Sequence, residues 1–277
     1  MGYPLITAEG NIVSWGSANF YSVLLSRIAS HTATINVRGD VPSNTLLSAD
    51  QASYFPGLKE WDIQIRSRWN SAVKLGNVGL LAFSSGGYAQ HVQRYEITFR
   101  PIEVHDITAL LGPSSPVLWK LWRPDILTWD VRFSTLVDST TAIPTPHDPT
   151  ATLPTLTLTY GDEATDDTLA GSVVLQQLGH SMETHSIQRI EWQAQGVGAL
   201  TPAGTTSAFG TSALGIPLWS EGGAAAGAIE IDVSTTATFD YVGTDSFYRS
   251  ITLRCAVGEP VEIDIDVQGV GVLTMPA

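Results

Sequence analysis

The polar and apolar positions alternate with a period of two along much of the chain. Thr32-Ala33-Thr34-Ile35-Asn36-Val37 is one such run, and Trp61-Asp62-Ile63-Gln64-Ile65 is another. Tyr95-Glu96-Ile97-Thr98-Phe99, Trp129-Asp130-Val131-Arg132-Phe133, Leu156-Thr157-Leu158-Thr159-Tyr160 and Val261-Glu262-Ile263-Asp264-Ile265-Asp266-Val267 repeat the pattern. Successive side chains of a strand point to opposite faces, so each run predicts a strand with one face in a core and the other in water. Asp, Gln, Thr and Arg fill the alternate positions, as an antiparallel sheet with one wet face requires. Helix signals are few. Ser17 is placed to cap a short helix with Phe20, Val23, Leu24 and Ile28 on one side. Thr165 or Asp166 is placed to start a second one, through Leu169, Val173 and Leu178 to Gly179. Residues 138–155, with four prolines, and 202–228, rich in Gly, Ala, Ser and Thr, read as long loops. The expected class is therefore all-β and mainly antiparallel.

Two internal echoes add organisation. Pro56-Gly57-Leu58-Lys59-Glu60-Trp61-Asp62-Ile63-Gln64-Ile65 matches Pro124-Asp125-Ile126-Leu127-Thr128-Trp129-Asp130-Val131-Arg132-Phe133 at an offset of 68, without a gap. Upstream stand Asp40-Val41 and Asp106-Ile107-Thr108, each an acid followed by an aliphatic residue. Gln195-Gly196-Val197-Gly198-Ala199-Leu200-Thr201 matches Gln268-Gly269-Val270-Gly271-Val272-Leu273-Thr274 at an offset of 73. Self-similarity of this kind predicts tandem or pseudo-symmetric copies of one β unit.

Composition narrows the class. Of 277 residues, 43% are hydrophobic and 15% charged, which excludes a disordered chain. No stretch of about 18 apolar residues predicts a membrane span. The first residues, Met1-Gly2-Tyr3-Pro4, predict no secretory signal. One cysteine, Cys255, excludes an intramolecular disulfide framework and a cysteine zinc cluster. The net charge is −13, the wrong sign for gripping the phosphates of DNA. It is also uneven. Residues 1–104 carry seven acids and eight bases; residues 105–277 carry 20 acids and six bases. The charge break and the second motif together set the expected domains at 1–104 and 105–277.

No motif carries catalysis. His105-Asp106 and His147-Asp148 are neighbours, and neighbours on a strand face apart. His180, Glu183 and His185 lack the helical spacing of a metalloprotease, and the pairs Asp162-Glu163 and Asp166-Asp167 lack the alternation of a calcium loop. No nucleophile elbow or phosphate loop occurs. Gly196-Val197-Gly198 reads as a bulged strand rather than a dinucleotide loop. The expectation is no enzyme, no cofactor and no metal. Trp119 and Trp122, among eight tryptophans, keep a carbohydrate-binding module as an alternative.

Asp40-Val41, a polar loop, then Tyr54-Phe55-Pro56-Gly57-Leu58, with the strand through Trp61-Asp62 ending at Trp69-Asn70, resembles the major tail (tail tube) proteins of long-tailed, siphovirus-type bacteriophages. Residues 32–70 carry the likeness well and 97–138 in part. Pro42 stands where that pattern has Thr, and Asp125 where it has Gly. The motif residues that match are Asp40, Pro56, Gly57, Leu58, Trp61, Asp106, Thr108, Pro124 and Trp129. The resemblance implies a β-sandwich or barrel with a short flanking helix. It implies a structural subunit of the virion tail, assembled in the host cytoplasm into stacked rings of three or six chains. Partners would be the chain itself, the tape measure, distal tail and terminator proteins, and double-stranded DNA in passage without specific binding; no membrane is implied. Asp162, Glu163, Asp166 and Asp167 are candidates for an acidic lumen or an inter-ring loop. Another virion β-protein, such as a distal tail, terminator or decoration protein, is the alternative within the same setting.

Overall fold

The computed structural model describes residues 12–15, 18–19, 28–41, 54, 57–69, 81–83, 92–108, 119–137, 153–159, 168–184, 186–203, 229–232 and 241–275. Fifteen strands occur among them. They are β1 (Ile12–Trp15), β2 (Ala18–Asn19), β3 (Ile28–Gly39), β4 (Lys59–Trp69), β5 (Leu81–Phe83), β6 (Val92–Pro101), β7 (Val104–Asp106) and β8 (Trp122–Pro124). The rest are β9 (Leu127–Leu136), β10 (Thr155–Thr159), β11 (Thr168–Ser181), β12 (Arg189–Ala203), β13 (Ile229–Asp232), β14 (Tyr241–Ala256) and β15 (Glu262–Thr274). All strand pairings between them are antiparallel. The alternating runs coincide with strands, save that Tyr160 lies outside the described residues and Val261 just before β15, and the all-β class holds.

No α-helix occurs among the described residues. The helix expected from Thr165 to Gly179 is strand β11 instead. Leu169 and Val173 are four apart, a spacing that fits a helical face and a strand face equally, and Gly171 between them is also buried. The register shift between Leu175 and Gln177 moves Leu178 back onto the same face. Of the other expected helix, Ala18–Asn19 and Ile28 are strand, and residues 20–27 lie outside the described set. Most of the two expected long loops, 138–152 and 204–228, lies outside it too.

Thirteen strands join in one sheet, whose central run is β3-β4-β15-β14-β6-β9-β12-β11. This run contains the same four-strand unit twice. In the first unit β3 pairs β4, β4 pairs β15 and β15 pairs β14; in the second β6 pairs β9, β9 pairs β12 and β12 pairs β11. The registers agree. Val37 lies opposite Trp61 as Phe99 lies opposite Trp129. Gln268 lies opposite Asp62 as Gln195 lies opposite Asp130. Ile251 pairs Ile265 as Leu178 pairs Trp192. Both long partner strands carry two register shifts at matching places, Gly243/Asp245 and Tyr248/Ser250 in β14, Ala170/Ser172 and Leu175/Gln177 in β11. Even the short strands correspond: Trp15 faces Ile229 as Phe83 faces Leu156.

The two units are nested. The second, β5–β12, occupies residues 81–203 and sits between β4 and β13 of the first. The pairings β15–β4, β14–β6 and β6–β9 all cross residue 104, so strands from both expected domains share one sheet. One apolar cluster fills the covered face, with Trp61, Tyr95, Phe133, Phe247 and Tyr248 as its largest fully buried members. Phe133 and Trp192 stack at 5.5 Å, a contact worth about 0.5–1.5 kcal/mol beyond burial.

Candidate functional site

The two sequence echoes prove to be the two sides of one lock, built once in each unit. In the first, the Trp61 indole Nε1 donates to the Gly271 carbonyl at 3.0 Å. The Gln268 side chain donates to the Trp61 carbonyl at 3.2 Å. The ring lies so close to β15 and β14 that a Cβ on Gly269 would stand 2.0 Å from it, and one on Gly243 2.3 Å. In the second, Trp129 Nε1 donates to Gly198 at 3.0 Å and Gln195 donates to the Trp129 carbonyl at 2.7 Å. A Cβ on Gly196 would stand 1.9 Å from the Trp129 ring. Gly198 and Gly271 have φ of 72° and 79°, a left-handed backbone that turns each accepting carbonyl toward its indole and favours glycine.

The acid after each tryptophan is held from the neighbouring strand. Arg38 and Asn36 bond Asp62, and Arg100 reaches Asp130 at 3.6 Å. Burial pushes the Asp130 carboxyl above the usual carboxylate range, against the pull of the Arg100 and Arg132 charges. Arg38 and Arg100 were not singled out by sequence. Thr34-Ile35-Asn36-Val37-Arg38 against Glu96-Ile97-Thr98-Phe99-Arg100, at an offset of 62, is the signal that would have found them.

The remaining motif residues form a clamp where the units meet. Asp40 follows β3; its N–H donates to Leu58 and its carbonyl accepts from Gly57 at 2.7 Å. Lys120, from the segment between β7 and β8, reaches Asp40 at 3.1 Å and Glu60 at 3.6 Å. The Asp40 hydrogen bond is the main reason its ammonium pKa is raised. Asp106 accepts from the Thr108 hydroxyl at 2.5 Å and from its N–H at 2.9 Å, which holds the Asp106 carboxyl below its usual range. Thr108 accepts in turn from the Leu121 N–H. Asp106 is not the counterpart of Asp40. The ladder matches Asp40 N–H to Leu58 with Ile102 N–H to Ile126, because register follows the tryptophan strands and not the acids. Pro124 ends β8, half-buried. Pro56, Asp162, Glu163, Asp166 and Asp167 lie outside the described residues. Trp119 is buried beneath Lys59, whose ammonium sits 5.6 Å from the ring centre, and Trp122 is partly buried, with the Lys120 ammonium 5.8 Å from its ring centre.

The uncovered face of the eight central strands is charge-balanced. Its arginines are Arg38 on β3, Arg66 and Arg68 on β4, Arg94 and Arg100 on β6, Arg132 on β9, Arg189 on β12 and Arg254 on β14. Its acids are Glu60 and Asp62 on β4, Glu96 on β6, Asp130 on β9, Glu191 on β12, and Glu262, Asp264 and Asp266 on β15. Eight face eight. Six of these arginines lie within 4.0 Å of a carboxylate, among them Arg68–Glu262 at 2.6 Å and Arg254–Glu96 at 2.7 Å. A groove of about 370 Å³ runs along this face, lined by Arg94, Glu96, Arg132, Glu191, Arg254 and Glu262. No cluster of three or more His, Cys, Asp or Glu with metal-binding geometry occurs among the described residues; His180 instead bonds Gln188 at 3.1 Å.

Cys255 sits on β14 opposite Tyr95 of β6, where the units join. Burial pushes its thiol from an ordinary 9.0 up to about 12. The folded state thus holds the thiol proton more tightly than the unfolded chain. That contribution is present below pH 9.0 and is lost as the pH rises toward about 12. At pH 8 an aromatic disulfide reagent is expected to label the native protein slowly, and one thiol per chain promptly in denaturant. Rapid labelling of the native protein would show the β6–β14 junction to be open.

No protein-family model matches this sequence, and no curated protein does. Among solved structures, a chain of "Virion of native gene transfer agent (GTA) particle" is similar to 47% of this chain over 98% of its own length. The identity is 12% and the TM-score 0.36, too low a likeness to bear on fold or function.

Proposed function

We propose that this chain is a structural subunit of a phage-type tail tube, polymerising as stacked rings into the conduit through which a genome leaves the virion. The observation that carries this reading is the head-to-tail union of two equivalent units in one sheet through β14 and β6. Among the described residues, that arrangement leaves a sheet edge at each end, and edges are templates for further pairing. A head-to-tail contact generates a ring where its rotation closes. The lock residues, Trp61 and Trp129 with their preceding loops, are also those on which the sequence resembles tail tube proteins.

Two units per chain favour rings of three chains with six units. Three chains of eight central strands each make 24 strands. At a spacing of about 4.8 Å, a closed cylinder of that size is at least about 37 Å across its backbone, wider than a DNA duplex. The uncovered face would line the bore. Its arginines are largely engaged by neighbouring acids, so the bore would resist adhesion to phosphate through balance. Tape measure, distal tail and terminator proteins would be the partners.

Electron microscopy of the purified protein tests the reading. Tubes of stacked rings with a central channel, and a ring mass of three chains, are the expected result. Closed rings that never stack would move the assignment to a terminator or distal tail protein. A monomer at every concentration, or sugar-dependent binding, would overturn it.

A further inference from the structure

The join between the two units is a template for the join between two chains. Within one chain, the last four residues of β14 and the two before them pair β6: Ile251 with Phe99, Thr252 with Thr98, Leu253 with Ile97, Arg254 with Glu96, Cys255 with Tyr95 and Ala256 with Arg94. The counterpart of β14 is β11, and the counterpart of β6 is β3. Among the described residues, β10 covers β11 only from Thr168 to Ser172 on that edge, and β3 pairs β4 alone. Residues 174–181 of β11 and the outer edge of β3 are the two places where the repeated pattern stops.

Exposure marks the same places. Phe99 is 5% exposed, whereas its counterpart Val37 is 38% exposed. Cys255 is 2% exposed, whereas its counterpart Met182 is 68% exposed. Val37 and Met182, at positions whose counterparts the internal join buries, are thus apolar and exposed.

We infer that a second copy of this chain places its β3 antiparallel along residues 178–183 of the first, repeating the internal join residue for residue. Leu178 then faces Val37 of the second copy, Gly179 faces Asn36, His180 faces Ile35, Ser181 faces Thr34, Met182 faces Ala33 and Glu183 faces Thr32. The Arg254–Glu96 ion pair of the internal join becomes Ser181 against Thr34, two short hydroxyl side chains. The join between copies therefore lacks the charge pair that fixes the internal one and is the weaker and more reversible of the two. Because each copy offers one β3 and one β11, addition proceeds head to tail until the last β11 meets the first β3, which removes every edge of the central sheet.

This inference rests on the ring-forming reading above but makes a claim of its own, the register. It is tested in the full chain with Thr34→Cys and Ser181→Cys together, under mild oxidation. Opposed residues of antiparallel strands lie about 4.5–5.5 Å apart, within disulfide reach. Covalent oligomers that end at the ring size and collapse to monomer on reduction are expected. Thr34→Cys with Gln177→Cys, displaced by about 13 Å along the strand, is expected to give none. No cross-link in the first pair, or equal cross-linking in both, overturns the register. Val37→Lys supplies the independent check: assembly lost with an unchanged monomer spectrum supports the join, and undiminished assembly contradicts it. Tubes imaged in the same samples judge the tube reading separately. Tubes without the cross-link sink only the register; cross-linked rings that never stack sink only the tube.

Discussion

Trp61→Ala and Trp129→Ala are each expected to lower the unfolding free energy by about 3–5 kcal/mol, the range for removing a large buried aromatic from a core. Both rings are buried, Trp61 entirely. Each fills a space that two glycines have vacated for it, Gly243 and Gly269 for Trp61, Gly171 and Gly196 for Trp129. Glycine has no side chain with which to close the resulting cavity, so little relaxation offsets the loss. Truncation also strands the Gly271 or Gly198 carbonyl that accepted the indole N–H. Trp61→Phe keeps most of the ring and loses that bond, and is expected to cost less than the alanine change, about 1–3 kcal/mol. Denaturant midpoints at unchanged m-values measure both effects. Similar losses at the two sites would show that the units are equivalent in energy as well as in geometry. A neutral result at either tryptophan would show that its lock carries no stability.

The converse substitutions fill the space the indoles occupy. Gly269→Ala and Gly196→Ala place a Cβ 2.0 Å and 1.9 Å from ring atoms, a separation that forces the tryptophan or the strand to move. Overpacking of this kind costs about 1–3 kcal/mol, and the rigidity of an indole pinned by its own hydrogen bond argues for the upper part of that range. Gly198→Ala is the control. It meets nothing within 4 Å, and its cost is the left-handed backbone alone, about 1 kcal/mol. The mechanism predicts non-additivity: Gly269→Ala in a Trp61→Leu background is expected to cost less than in the parent, by about 0.5–3 kcal/mol of coupling. Additive losses would mean that the ring and the glycine do not meet.

Much of this architecture is legible in the chain. Period-two alternation placed β3, β4, β6, β9, β10 and β15, because burial on a single face leaves a direct trace in side-chain type. β11 escaped, since Leu169 and Val173 satisfy both periods and the phase change at Leu175/Gln177 broke the longer pattern. Both echoes were visible as separate repeats, and their tryptophans, glycines and glutamines are the lock residues. That the echoes face each other was not visible. Their partnership joins residues 207 positions apart, as in Gln268 to Trp61, and no local pattern encodes which of many strands will be adjacent. The pairing of Asp40 with Asp106 failed for a related reason. Two acids before two motifs look alike, yet the ladder places Ile102 where Asp40 stands, since the connection between β6 and β9 is six residues longer than that between β3 and β4.

The sequence alone determined the all-β class, the strand faces, the duplication and the acidic net charge, because each follows from residue type along the chain. Tertiary structure decided the rest. It nested one unit inside the other, set the arginines of the uncovered face beside neighbouring acids, and, among the described residues, left the outer edge of β3 and one edge of the distal half of β11 unpaired. Those outcomes depend on which strands hydrogen-bond across long separations. Backbone hydrogen bonds are the same for every residue type, so the choice falls to packing of the completed core, which only the folded chain expresses.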